Sequence, residues 1–118
     1  MVFEEEIKNY VRLSNLLQQA ERAMRLGNLK KGVEVLQQVE KALYEDNVPL
    51  IGKDEEKIIR TLQQYKGVPK LATQIKRLIS TLRSRYGDDK EVQELEKLYI
   101  NLYNILTPEA EKYSESSQ

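Results

Sequence analysis

Apolar residues recur along the first part of this chain every three or four positions, the spacing of one face of an α-helix. One such stripe runs through residues 3–26 and a second through residues 29–44. Gly27 and Asn28 lie between them, and these residue types are common where one helix ends and the next begins. Because so short a connection holds neighbouring helices antiparallel, the pattern predicts an N-terminal helical hairpin. The stripe of the second helix consists of Leu29, Val33, Leu36, Val39 and Leu43.

Three more helices are predicted in the second half of the chain. Asp54 is expected to cap the third, Pro69 to occupy the first position of the fourth, and Gly87 to end it. The fifth begins after Asp88 or Asp89, and its apolar face consists of Val92, Leu95, Leu98, Tyr99, Leu102, Ile105 and Leu106. No alternation typical of a strand appears. We therefore expect an all-α protein, a compact antiparallel bundle of four main helices and a shorter one.

The length of 118 residues suits one domain with a hydrophobic core. We assign residues 1–113 to a single helical-bundle domain and expect the polar, aperiodic residues 114–118 to form a disordered tail. The N-terminus is acidic where a signal peptide would be basic. No apolar run approaches the roughly 18 residues of a membrane span. We therefore expect a cytoplasmic protein without a membrane role.

Several apolar side chains fall outside the predicted stripes. Leu13 and Leu16 do so in the first helix, and Val35 and Ala42 do so in the second. Extra apolar width is typical either of a helix buried on two sides or of a surface that meets a partner. We favour burial and keep a dimer face or a partner groove as the alternative.

Residue types that most enzymes rely on are missing. The chain has no cysteine and no histidine, which excludes disulfides and thiolate chemistry and removes the commonest general base and transition-metal ligand. Its five glycines are isolated, so the sequence has no phosphate-binding glycine loop. The acidic pair Asp88 and Asp89 lies at a predicted helix start, where capping explains it. We predict a non-catalytic protein without a metal or a cofactor.

Charge is unevenly distributed along the chain. The whole sequence carries 19 basic and 19 acidic residues and has no net charge. Residues 57–87 hold eight of the basic residues and none of the acidic ones, which leaves 11 basic and 19 acidic residues elsewhere. A concentrated basic segment indicates a polyanionic partner or acidic surfaces within the same protein.

The predicted fourth helix turns this segment into a basic face. Its apolar residues occupy an arc of about 100° on a helical wheel, and its basic residues lie outside that arc. Cationic and hydroxyl donors without carboxylates suit the phosphate backbone of DNA or RNA. The candidate nucleic-acid-binding residues are Lys66, Lys70, Lys76, Arg77, Arg83 and Arg85. The uncharged polar residues expected on the same exposed face are Thr73, Gln74, Ser80, Thr81 and Ser84.

Two functions remain open at this point. The first is an accessory protein that contacts a nucleic-acid backbone through residues 57–85 without base-specific readout. The second is a protein–protein adaptor or homo-oligomerising helical module with no nucleic-acid role, in which the basic face meets an acidic partner or the Glu residues of neighbouring helices. Exposure of Lys76, Arg77 and Arg83 favours the first function, and their pairing with Glu residues favours the second.

Two short segments resemble parts of known families. Residues 20–43 resemble a tetratricopeptide-type helical hairpin, of which arrays need about three copies and this chain has one. Residues 72–80 resemble a polar-Gln-Ile-basic-basic run in the small helical subunits of type III CRISPR effector complexes, which bind along a guide–target duplex through basic helix faces. This second likeness covers nine of the 118 residues, and we draw no family assignment from either segment.

Overall fold

The computed structural model describes residues 2–46, 48, 52–64, 68–87 and 89–113. These residues form five α-helices and two single 3₁₀ turns, and no strand occurs among them. The all-α fold with four main helices and a shorter one is therefore confirmed. The helices are α1 (Val2–Arg25), α2 (Leu29–Tyr44), α3 (Gly52–Thr61), α4 (Leu71–Tyr86) and α5 (Lys90–Ile105), and the 3₁₀ turns are Leu62–Gln64 and Glu109–Glu111.

Local sequence signals set several helix ends. Gly27, just after α1, has a φ of 91°, in the left-handed region that glycine adopts without steric cost. The side chain of Asn28 accepts a hydrogen bond from the backbone N–H of Lys31 and so caps α2. Asp89 caps α5 by accepting from two backbone N–H groups of its first turn. These predicted boundaries are confirmed.

Two other predicted boundaries are wrong. α3 begins at Gly52, so Asp54 lies inside its first turn, where it complements the positive end of the helix dipole. α4 begins at Leu71 and not at Pro69, because Lys70 has the extended backbone of an N-cap residue, with φ of −60° and ψ of 144°. The first N–H of α4, that of Leu71, donates to the hydroxyl of Tyr10 in α1. A tertiary hydrogen bond therefore satisfies the first N–H of α4.

The four long helices form two hairpins that lie side by side. α1 packs against α2, α4 packs against α5, and α1 also lies along α4. Leu71, at the start of α4, bonds to Tyr10 of α1, and Tyr86, at the end of α4, bonds to Met24, which comes later in α1. α1 and α4 therefore run parallel. α2 and α4 lie diagonally across the bundle, and α3, in the connection between them, covers the end at which α1 and α4 begin.

The buried core confirms that several helices pack on two sides. Leu13, Val35 and Ala42, which fall outside the predicted stripes, are completely buried, and Leu16 is half-buried. A side chain at Gly32 would meet atoms of both α1 and α5, so α2 lies close to both helices at this position. A helix with two packing partners needs a wider apolar surface than a single stripe supplies.

Three residues predicted to be buried are exposed instead. The side chains of Val33, Leu98 and Ile105 are 43%, 49% and 49% exposed. They lie on the outer edges of α2 and α5, where these two parallel helices touch more sparsely than the other neighbouring pairs. Tyr44, which is 72% exposed, extends the same apolar edge of α2. The seam between α2 and α5 is therefore open to solvent along part of its length.

The domain assignment stays a prediction, because the proposed tail at residues 114–118 lies outside the described residues. Within the part of the chain that the structure describes, no helix is both long enough and apolar enough to cross a membrane.

Candidate nucleic-acid interface

α4 directs its basic side chains to solvent. Lys70, Lys76, Arg77, Arg83 and Arg85 are all exposed, whereas Lys66 lies outside the described residues. Among the described residues, no acidic side chain comes within ion-pair distance of these basic groups, with one exception. Four of the six candidate residues are thus exposed cations without an ion-pair partner in this part of the chain.

Arg83 is the exception. Its Nε donates to a carboxylate oxygen of Glu96 on α5, and its guanidinium carbon lies 5.3 Å from the ring centre of Tyr113. An exposed ion pair contributes only roughly 0–1 kcal/mol, but a ligand phosphate would have to compete with both contacts. Arg83 is therefore the weakest member of the candidate set.

The basic side chains of α4 form two rows and not one. Lys76 and Arg83 are seven residues apart, about two helical turns, and both lie on the side toward α5. Arg77 lies on the other side, toward α1. Gln74 is on that same side and is buried. The exposed hydroxyl side chains between the two rows are Thr73, Ser80 and Ser84.

Gln74 and Thr81 are not part of the exposed face, contrary to the prediction. Both are buried, and Gln74 contacts the neighbouring helix α1. The Nε2 of Gln74 donates to the backbone carbonyl of Ser14 at 2.9 Å, while its Oε1 has no hydrogen-bond partner among the described residues. The outer face of α4 is therefore narrower than the sequence pattern indicates.

α1 contributes a basic residue that the sequence pattern did not reveal. The contacts of Ser14 with Gln74 and of Met24 with Tyr86 place Arg22 level with the last turns of α4. Arg22 follows Ser14 by eight residues, about a quarter-turn away around the helix, and is exposed. No sequence signal links these two helices, because their adjacency is a tertiary feature. We name Arg22, Lys70, Lys76, Arg77 and Arg85 the α4 basic surface.

A buried chain of hydrogen bonds joins α3 to this surface. The hydroxyl of Tyr10 donates to Oε2 of Glu55 at 2.9 Å and accepts from the backbone N–H of Leu71 at 3.2 Å. Glu55 is only 5% exposed. Desolvation raises its pKa above the ordinary glutamate value, and the Tyr10 hydroxyl and the Lys70 ammonium oppose the shift. Burial raises the pKa of Tyr10, and the nearby Glu55 carboxylate raises it further.

A groove of about 670 Å³ lies beside this chain of hydrogen bonds. One wall belongs to α3 and carries Glu55 and Glu56, and the other belongs to the start of α4 and carries Lys70 and Lys76. The end of α5 and the 3₁₀ turn after it close the groove, with the ring of Tyr103 among the lining side chains. The groove therefore opens onto one edge of the α4 basic surface.

Comparison with protein-family models, with curated proteins and with solved structures gives no match to this chain. Neither short sequence resemblance therefore leads to a family assignment. In the described residues, no group of three or more acidic side chains is arranged to hold a metal ion. The α4 basic surface and the groove beside it are the features of the molecule that bear on its function.

Replacing Glu55 with glutamine should remove a pH dependence of stability. Because the folded-state pKa of Glu55 is raised, the folded protein binds this proton more tightly than the unfolded chain does. The stabilisation is fully present below the ordinary glutamate pKa near 4.5 and is lost as pH rises toward the higher folded-state value. Urea unfolding between pH 4 and pH 7 should show wild type losing stability relative to Glu55→Gln as pH rises. A constant difference over this range would contradict the burial of an ionisable carboxyl group.

Proposed function

We propose that this protein is a non-catalytic accessory protein that binds the backbone of a nucleic acid through the α4 basic surface. The observation that carries the proposal is the exposure of Lys76, Arg77 and Arg85 on one helix, with no acidic side chain of the described residues within ion-pair distance. Arginine forms bidentate hydrogen bonds with phosphate oxygens, and hydroxyl side chains add further donors. The hydroxyl groups between the two basic rows supply such donors.

The dimensions of the surface set the expected salt dependence. Residues 70–85 span about 22 Å at 1.5 Å per residue, a length that brings several backbone phosphates of one strand within reach. If three or four phosphates of a single strand are neutralised, the logarithm of the binding constant should fall with the logarithm of salt concentration with a slope of about −2 to −3. Binding without this dependence would not be binding to the backbone.

Replacing Lys76 and Arg77 together with glutamate should weaken binding to single-stranded DNA and RNA by about tenfold or more, because two attractive charges become repulsive ones. Fluorescence anisotropy at low and at physiological salt measures the effect. The matched control is Lys30→Glu with Lys41→Glu, the same charge change at exposed positions on α2, diagonally across the bundle. Circular dichroism checks that both variants are folded. The proposal fails if wild type does not bind at low salt, or if both double variants lose affinity equally.

The α2–α5 seam favours a second candidate function, a protein–protein adaptor or homo-oligomerising module. Four apolar side chains are exposed along it, and a partner or a second copy of the chain would cover them. They are Val33, Tyr44, Leu98 and Ile105. In this function, the α4 basic surface would meet an acidic protein. Failure to bind any nucleic acid at low salt would leave this candidate as the better one.

A further inference from the structure

We propose that the segment after α5 is an autoinhibitory strap, which holds Arg83 back from a nucleic acid until a bound strand displaces it. The C-terminal strap consists of residues 107–113 and contains the 3₁₀ turn Glu109–Glu111. This inference rests on the proposed function, because the strap acts on a row of basic side chains that belongs to the same helix as the α4 basic surface. It adds regulation to that function, since the position of the strap sets how many cations a strand can contact.

The strap folds back over the junction between α4 and α5. The backbone N–H of Tyr113 donates to Oδ1 of Asn104 at 2.8 Å, and Nδ2 of Asn104 donates to the backbone carbonyl of Tyr113 at 3.3 Å. The ring of Tyr113 makes an edge-to-face contact with the ring of Tyr103, with the ring centres 5.2 Å apart. One asparagine near the end of α5 therefore fixes the backbone at the far end of the strap.

The strap contacts the row of basic side chains formed by Lys76 and Arg83. The guanidinium carbon of Arg83 lies 5.3 Å from the centre of the Tyr113 ring, and Nε of Arg83 donates to the carboxylate of Glu96 on α5. Arg83 is therefore held by two groups, one of which belongs to the strap. A phosphate that binds Arg83 has to replace both contacts.

The strap offers this row the kinds of group that a nucleotide offers. Glu111 lines the groove that Lys76 also lines, so a carboxylate of the strap lies at one end of the row, and the ring of Tyr113 lies at the other. Lys112 pairs with Glu109 within the strap, whereas Glu111 has no ion-pair partner in the described part of the chain. A strand brings phosphates and bases to the same cations, so the strap and the strand compete.

The contacts that hold Arg83 are weak enough to be exchanged for a ligand. Its side chain is 53% exposed, and exposed ion pairs and exposed cation–π contacts each contribute little in water. A phosphate, in contrast, accepts two parallel hydrogen bonds from one arginine. Because coupling between two binding events is reciprocal, a strand that takes Arg83 loosens the strap, and a loosened strap strengthens binding of the strand.

The test replaces Asn104 with alanine, which removes both hydrogen bonds to the strap and changes no charge. Anisotropy titrations with oligo(dT) at low salt should show Asn104→Ala binding about threefold more tightly than wild type. The salt slope should become steeper by about 0.7, because Arg83 adds one neutralised phosphate. In an Arg83→Gln background, Asn104→Ala should give a smaller gain. Asn101→Ala, at an exposed position of α5 one turn earlier, is the matched control and should bind as wild type does. Circular dichroism checks that the variants are folded.

Hydrogen exchange of the wild-type protein tests the strap without relying on the Asn104 substitution. The N–H of Tyr113 is bonded to Asn104 in the free protein, so release of the strap exposes it to water. Exchange of this N–H, followed by NMR, should be faster by the same factor of about three when oligo(dT) saturates the protein. In Arg83→Gln, oligo(dT) should leave the exchange of this N–H unchanged.

The outcomes separate this inference from the function on which it rests. Equal, salt-dependent affinity of wild type and Asn104→Ala for oligo(dT) would overturn the strap and leave backbone binding in place, as would exchange at Tyr113 that does not respond to oligo(dT). An equal gain from Asn104→Ala with and without Arg83 would overturn the role of Arg83. No binding of oligo(dT) at low salt by any of these proteins would overturn the proposed function and the inference together.

Discussion

Leu13→Ala should lower the free energy of unfolding by about 2–5 kcal/mol, the cost of removing a completely buried leucine side chain and leaving a cavity. Leu13 is 0% exposed and belongs to the continuous hydrophobic core, although it falls outside the apolar stripe of its own helix. Its burial is therefore a consequence of the two-sided packing of α1. Urea unfolding followed by circular dichroism measures the change as a shift of the midpoint at constant slope.

Leu26→Ala is the matched control for Leu13→Ala. Leu26 follows α1 and is 88% exposed, so the same chemical change should alter the free energy of unfolding by no more than about 0.5 kcal/mol. Equal effects of the two substitutions would contradict the packing of α1 against both α2 and α4. A large loss in Leu13→Ala alone would support it.

Tyr10→Phe should cost about 2–3 kcal/mol, because it removes one hydroxyl group that has two buried partners. Glu55 would lose the hydrogen bond from the Tyr10 hydroxyl, and the N–H of Leu71 would lose that hydroxyl as its acceptor. A buried polar group that loses its hydrogen-bond partner keeps its full desolvation penalty, because water does not replace the lost hydroxyl. Urea unfolding at neutral pH measures this loss.

A double variant identifies the cause of the Tyr10→Phe loss. Tyr10→Phe with Glu55→Leu leaves apolar groups at both ends of the broken hydrogen bond, so the double variant should be more stable than Tyr10→Phe alone. Tyr44→Phe is the control, because Tyr44 is 72% exposed and its hydroxyl remains in water. If the double variant were less stable than Tyr10→Phe, the loss would come from packing and not from the unsatisfied carboxylate.

These stability measurements bear on the candidate interface as well. The hydroxyl of Tyr10 touches both the residue that begins α4 and the carboxylate that lines the groove. Removing this hydroxyl would break the hydrogen-bonded link between α3 and the start of α4.

Helix ends could be predicted where one residue type carries the signal. Gly27 ends a helix because its positive φ is easily reached only by glycine, and Asn28 and Asp89 cap helices with side-chain acceptors. The start of α4 could not be predicted in this way. Its first N–H donates to the hydroxyl of Tyr10, 61 residues earlier in the chain, and no local signal indicates this partner.

Burial was predicted less well than helix position. The apolar pattern of α2 predicted that Val33 belongs to the core and that Val35 lies outside it. In the structure, Val33 is 43% exposed and Val35 is completely buried. A helical wheel finds the centre of one apolar arc, but α2 packs against two helices and its core face is displaced toward their common centre. Which edge of a wide apolar surface is covered depends on where those neighbours lie.

The sequence by itself determined the helical class, the capped helix ends and the separation of basic from acidic segments, because each depends on residues close together in the chain. The tertiary structure decided which basic groups are available to a ligand. It brings Glu96 to Arg83, buries Gln74 against α1, and places Arg22 level with the last turns of α4. It also brings Glu55 to the start of α4 and so creates the groove. Ion pairs and grooves form only at short range between side chains, and the order of residues along the chain does not specify which helices will be neighbours.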